Sequence, residues 1–189
     1  MSKLTIINGA LSRIGEAPIA SLAVNDNIAI IASNIYDSNK VNYLSSFPWT
    51  FALREVTLAP LATPSYSQEW EHAYTIPQNY LRVLGTTTYD EFTVYGNELY
   101  CGASAPTIIY IENIAEGFFS SYFSYAFELS LAADLIIPVK ESPSEWQLFI
   151  ANANRQWAIA RNLDSQSRTN KGLSKNIRIF LSRGIEDRA

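Results

Sequence analysis

At 189 residues, with 48% hydrophobic and only 17% charged side chains, the chain suits one well-buried domain plus a short tail and is too apolar for extended disorder. A single cysteine, Cys101, and a single histidine, His72, exclude a disulfide framework and any metal site built from several His or Cys ligands. The net charge of −4 hides an asymmetry: residues 155–189 hold eight basic side chains against three acidic ones, a net +5 that leaves the first 154 residues at −9. Such a division points to an acidic body with a basic interaction arm.

The first residues carry Leu4, Ile7, Leu11 and Ile14 at helical spacing, with Asn8 interrupting the apolar run. That pattern predicts a helix over about 2–14 and not a signal peptide, with Gly15 and Pro18 closing it. A second helix is expected over 26–46, started by a cap at Asn25 or Asp26 and faced by Ile28, Ile31, Ile35 and Leu44. Pro48 should stop it, because the residue before a proline is pushed out of the helical region. From about 50 to 112 the segments FALREVTL, HAYTI, YLRVLGTTT and TIIYIE are β-branched and aromatic, with prolines and glycines between them. FTVY-GN-ELYC predicts a hairpin turning at Gly96-Asn97. Trp49 and Phe51, at the handover, should pack between the helices and this β-rich insertion.

A third helix over 119–137 is apolar nearly all round, with small Ala126, Ser130, Ala132 and Ala133 and a stop at Pro138. Such a helix is central in its own fold or covered by another subunit. Ser142-Pro143-Ser144-Glu145 matches a capping box and opens a fourth helix over 143–165, striped by Trp146, Phe149, Ala153, Trp157 and Ala160. No apolar run reaches the roughly 20 residues of a membrane helix; the best candidate carries Glu128 and Asp134. The fold class is therefore α+β: a helical bundle with a β-rich insertion between its second and third helices. It has a body over 1–165 and an extended basic arm over 166–189. The arm mixes charge with apolar residues that fit a strand (Ile177, Ile179, Leu181) as well as a helix (Leu173, Ile177, Phe180, Ile185).

For chemistry the pattern offers little. No phosphate loop, dinucleotide fingerprint or nucleophile elbow is present. Glu69 and Glu71 beside His72 form the nearest acid–base cluster, but strand alternation would place both carboxylates on one solvated face. Cys101 with His72 lacks the context of a nucleophile pair. No enzymatic activity, cofactor or metal is expected.

One ordered set of motifs says more. It comprises Ile14-Gly15-Glu16, then Tyr36-Asp37 in the long helix, then the exit Pro48-Trp49-x-Phe51-Ala52. Tyr74, Pro77, Tyr80, Leu81 and Arg82 follow, before the hairpin and the apolar helix. Over residues 8–135 this order resembles the head-to-tail adaptors of short-tailed bacteriophages, the tail tubular protein A family. The resemblance implies a structural virion protein of the tail or neck, assembled in the host cytoplasm. It would form a ring, typically of twelve copies, between the portal protein and the tail nozzle protein. Double-stranded DNA would pass through its channel without specific binding, and no membrane would be involved. The arm lies beyond the resemblance. Its expected partner-interface residues are Arg168, Lys171, Lys175, Ile177, Arg178, Ile179, Phe180 and Arg183. The alternatives are a virion-associated glycan or peptidoglycan hydrolase working through Glu69, Glu71 or other acidic residues, and an unrelated soluble binding domain.

Overall fold

A computed structural model of the chain describes residues 1–23, 26–65, 70–88 and 90–167. Helices α1 (Lys3–Arg13) and α2 (Asn27–Ser46) come first, followed by a 3-10 turn at Thr50–Ala52. Six strands follow: β1 (Leu53–Thr57), β2 (His72–Thr75), β3 (Tyr80–Thr86), β4 (Phe92–Tyr95), β5 (Glu98–Cys101) and β6 (Thr107–Glu112). A second 3-10 turn, Glu116–Phe118, leads to α3 (Ser121–Lys140) and α4 (Pro143–Gln166). The protein is thus mixed α+β, with four helices and two small antiparallel sheets among the described residues. Residues 1–51 and 114–167 form one compact unit and residues 52–113 another.

In the helical unit the ends follow from local chemistry. Ser2 Oγ accepts from the Thr5 amide at 3.2 Å to start α1. Beyond Arg13, Gly15 adopts φ +77°, and the Gly15 and Glu16 amides donate to the Ser12 and Leu11 carbonyls. This pair of bonds closes the helix and needs the left-handed glycine. Asp26 Oδ1 caps α2 through the Ile28 amide, and Phe47 before Pro48 is extended, as expected.

The buried face of α2 is Ala29, Ala32, Tyr36 and Leu44, one position on from the predicted Ile28, Ile31 and Ile35. With apolar residues on both sides of the line, the period could not choose between them, and the small alanines allow the closer approach.

Helix α3 is the hub, packed by α1, α2 and α4. Ala126, Ser130, Ala132 and Ala133 are buried with Phe123, Phe127, Leu131 and Leu135. By length and composition alone α3 would pass for a membrane span, contrary to the reading above. However, 61% of that stretch is buried inside the protein. Most of its apolar residues are buried, the first of the two expected roles, while Tyr125 and Ile137 remain exposed.

Two further expectations are corrected. Pro138 does not stop α3, which continues to Lys140 and ends with Glu141 left-handed at φ 52°. A proline costs most in mid-helix; two residues from the end it removes one bond of a turn that is already terminating. The capping box also fails to close. Ser142 is the N-cap and Pro143 opens α4, but the serine side chain makes no capping bond. Its ψ is 92°, against 129–163° at Ser2, Asp26 and Ser120, whose side chains do cap.

The strand unit holds two sheets, ordered β1-β6-β3 and β2-β5-β4. Leu53 pairs with Ile111 and Thr57 with Thr107 in the first. The β4–β5 hairpin turns at Gly96-Asn97, where Gly96 alone has positive φ, 58°. That is the II′ arrangement, with glycine at the first central position. Both sheets supply one core of Leu58, Tyr74, Ile76, Leu99, Ile108 and Tyr110.

Candidate interaction surface

The predicted acid–base cluster does not assemble among the described residues. Glu69 lies outside them. Glu71 is exposed and precedes β2, so no strand face presents it as alternation had implied. His72 pairs in register with Cys101, yet His72 is exposed and the thiol is buried. Burial pushes the Cys101 thiol up, which keeps it protonated, and its sulfur donates to the Ala103 carbonyl at 3.8 Å. No group of three or more His, Cys, Asp or Glu is placed to share a metal ion among the described residues. The eight predicted interface residues, Arg168, Lys171, Lys175, Ile177, Arg178, Ile179, Phe180 and Arg183, lie outside the described residues. Gln166 and Ser167, assigned to the arm, belong to the end and C-cap of α4.

What the helical unit does show is a stiff interior. Trp49 is fully buried, with its ring 4.8 Å from Phe47, 5.1 Å from Phe123 and 5.7 Å from Trp157. Phe51 lies against Phe119 and Phe123 in the same cluster. Asp164, fully buried near the end of α4, accepts from the Thr50 amide and hydroxyl at 3.1 and 2.7 Å and from the Tyr122 hydroxyl at 2.9 Å. It thereby ties α4 to the start of α3 and to the exit from α2. Trp157 Nε1 donates to Ser130 Oγ at 2.6 Å across α3 and α4.

A second polar knot joins α2 to the turn before α3. Glu116 accepts from Tyr36 at 3.1 Å and from Lys40 at 3.0 Å. Burial alone would raise the Glu116 carboxyl, but its own backbone amide, Lys40 and Tyr36 outweigh that and hold it below the usual range. Burial first, and then the Glu116 carboxylate, push the Tyr36 phenol far above its ordinary value. Asp134 faces α2, where Asn39 Nδ2 donates to it at 2.7 Å; burial raises its carboxyl and that one bond offsets only part of the effect. Arg13 pairs with Glu128 at 3.0 Å between α1 and α3. Asp164 and Glu116 were invisible to the sequence reading, since their partners lie up to 114 residues away.

Outside this interior the unit leaves large apolar side chains in solvent. Ile30 and Val41 stand out from α2, and Leu148, Ile159 and Leu163 from α4. The predicted α4 stripe is buried at Ala153, Trp157 and Ala160, but Trp146 at its start is exposed. The sequence showed α4 as a one-faced helix, and the apolar residues on its far side were missed. Their period, Leu148 to Ile159 to Leu163, was the signal that could have found them.

No protein-family model matches the chain, and no curated protein matches it in sequence.

Proposed function

We propose that this chain is a structural virion protein of a short-tailed bacteriophage. It would be a head-to-tail adaptor that joins the portal to the tail nozzle as a ring and lines the DNA exit channel. The observation that carries this reading is the order of its motifs, each of which has a structural task in the chain. Gly15 closes α1, Tyr36 bonds Glu116, Trp49 anchors the aromatic cluster and Tyr74 sits in the strand core. A motif set spent on holding a scaffold fits a part whose work is mechanical.

In this reading the helices are the bundle, the strands are an insertion between its second and third helices, and residues 168–189 are an arm that grips the portal or an adjacent copy. The apolar residues of the arm carry most of its grip, since exposed ion pairs contribute roughly 0–1 kcal/mol each and fade with salt. The −9 charge over the first 154 residues suits a channel along which DNA slides without sticking.

The test is to mix the purified chain with assembled portal and image the product by electron microscopy. A ring seated on the portal is expected. Deletion of 168–189 should preserve helical content while blocking attachment, and Ile177→Asp should do nearly as much damage. A full chain that never binds portal overturns the proposal.

A further inference from the structure

We propose that the outer faces of α2 and α4 dock on each other between copies of this chain, head to tail. The inference deepens the homo-oligomer part of the proposed function, but it stands on the geometry of the helical unit alone.

On α4 the inner stripe of Ala153, Trp157, Ala160 and Asp164 faces the core, while Leu148 and Ile159 lie on the far side and Leu163 on the flank between. Leu148 is 70% exposed, which is a large apolar surface to leave in water. On α2 the inner face is Ala29, Ala32, Tyr36 and Leu44, and Ile30 and Val41 lie outside it. Ile30 and Val41 are eleven residues apart, and so are Leu148 and Ile159. Eleven residues make just over three turns, so each pair forms two apolar anchors about 16 Å apart on nearly one line.

Between the anchors each helix carries one exposed charge, at the same place and of opposite sign; Lys40, also between the anchors on α2, is half-buried on Glu116. Asp37 follows Ile30 by seven residues and precedes Val41 by four; Arg155 stands in the same relation to Leu148 and Ile159. Both are exposed. Asp37 is held by Lys3 at 2.7 Å, yet its side chain remains 64% exposed and open to a second cation. Laid parallel, α2 and α4 match Ile30 with Leu148, Asp37 with Arg155 and Val41 with Ile159.

The fold supplies the direction this match needs. Asn39 in mid-α2 meets Asp134 late in α3, and Trp49 just past the end of α2 meets Phe123 at the start of α3. Helix α2 therefore crosses α3 in the opposite sense, with Phe127 between Tyr36 and Tyr43. Trp157 meets Ser130 and Asp164 meets Tyr122, so α3 and α4 run antiparallel too. Helices α2 and α4 therefore point the same way, and a copy rotated about an axis along them presents α4 parallel to its neighbour's α2. The two faces differ, and joined head to tail the α2 face of each copy meets the α4 face of the next. A contact of that kind is heterologous and repeats from copy to copy, so cross-linking should give a ladder, whereas a twofold would stop at the dimer.

Cysteine cross-linking of the full chain tests the register. A disulfide needs Cα atoms within about 7 Å. Val41→Cys with Ile159→Cys should form a ladder of cross-linked species on mild oxidation. Ile30→Cys with Ile159→Cys, one anchor out of register, should not; the native Cys101 is buried and stays out of the reaction. A charge test accompanies it. Asp37→Arg and Arg155→Asp should each weaken self-association measured by sedimentation, and the two together should restore it. Asp37→Arg gives up the exposed pair with Lys3 and should melt slightly lower with or without the second change. Equal cross-linking by both cysteine pairs, no cross-linking by either, or no rescue by the double reversal would overturn the inference. None of these readouts involves portal, so failure here and failure of the adaptor reading are separate results.

Discussion

Replacing Trp49 with alanine removes the centre of the aromatic cluster that holds the helical unit together. The ring is fully buried and touches Phe47, Phe51, Phe123 and Trp157. Truncating such a residue costs about 3–5 kcal/mol, against a total stability of roughly 5–15 kcal/mol for a protein domain. The indole also donates to the Tyr43 carbonyl at 2.9 Å, but Ser46 Oγ donates to the same oxygen at 2.9 Å, so the carbonyl keeps a partner. Trp49→Phe therefore loses one bond and some volume, about 1–2 kcal/mol in all. At roughly 2–4 °C per kcal/mol for a chain of this size, Trp49→Ala should melt roughly 6–20 °C lower and Trp49→Phe roughly 2–8 °C lower. Urea titration followed by far-UV circular dichroism measures both differences, provided the dependence on urea is unchanged. A loss below about 1 kcal/mol for Trp49→Ala, or equal losses for the two variants, would refute the reasoning.

Asp164→Ala leaves the Thr50 amide, the Thr50 hydroxyl and the Tyr122 hydroxyl without their acceptor, and should cost at least about 2–3 kcal/mol in the same titration; Asp164→Asn should recover part of that. Asp134 has a carboxyl pKa raised by burial, so its ionised form penalises the fold above the folded pKa and not below the unfolded value near about 3.9. Asp134→Asn, which can still accept from Asn39, should therefore stabilise the protein at neutral pH, and stability curves against pH should show the gain vanish in acid. Gly15→Ala forces a side chain into φ +77° and should lower stability by about 1 kcal/mol, while Gly85→Ala, whose added carbon meets nothing within 4 Å, should not suffer that loss.

Much of the fold was legible because its signals are local. Gly15, Asp26, Pro48 and the Gly96-Asn97 turn each act on their own backbone within a few residues, and all four placed an element end correctly. Pro138 misled because a proline marks where a helix is weakened, and the last turn has little left to lose. Ser142 misled in a different way: the capping pattern names residues, whereas capping depends on a ψ value that the short α3–α4 connection does not give it. The α4 stripe stands out as one face because its tryptophans and Phe149 dominate the pattern, although Leu148, Ile159 and Leu163 also recur at helical spacing on another side. Asp164 could not be found at all, since an aspartate near a helix end looks like surface until Thr50 and Tyr122 arrive from elsewhere in the chain. The arm was legible only as charge interleaved with apolar residues.

The interruption of the helical unit by residues 52–113 also bears on the order in which the protein is made. Among the described residues the strand unit is continuous in sequence, so the pairings of both sheets are available once residue 113 has left the ribosome. Helices α1 and α2 emerge earlier but wait for α3 to bury Ile6, Ile7 and Leu11, and α4 must follow before Asp164 can reach Thr50. Nascent chains cut short between residues 113 and 140 would carry both paired sheets on a helical half with its apolar surface uncovered. They are the stage of synthesis at which a chaperone that binds exposed apolar segments has most to hold.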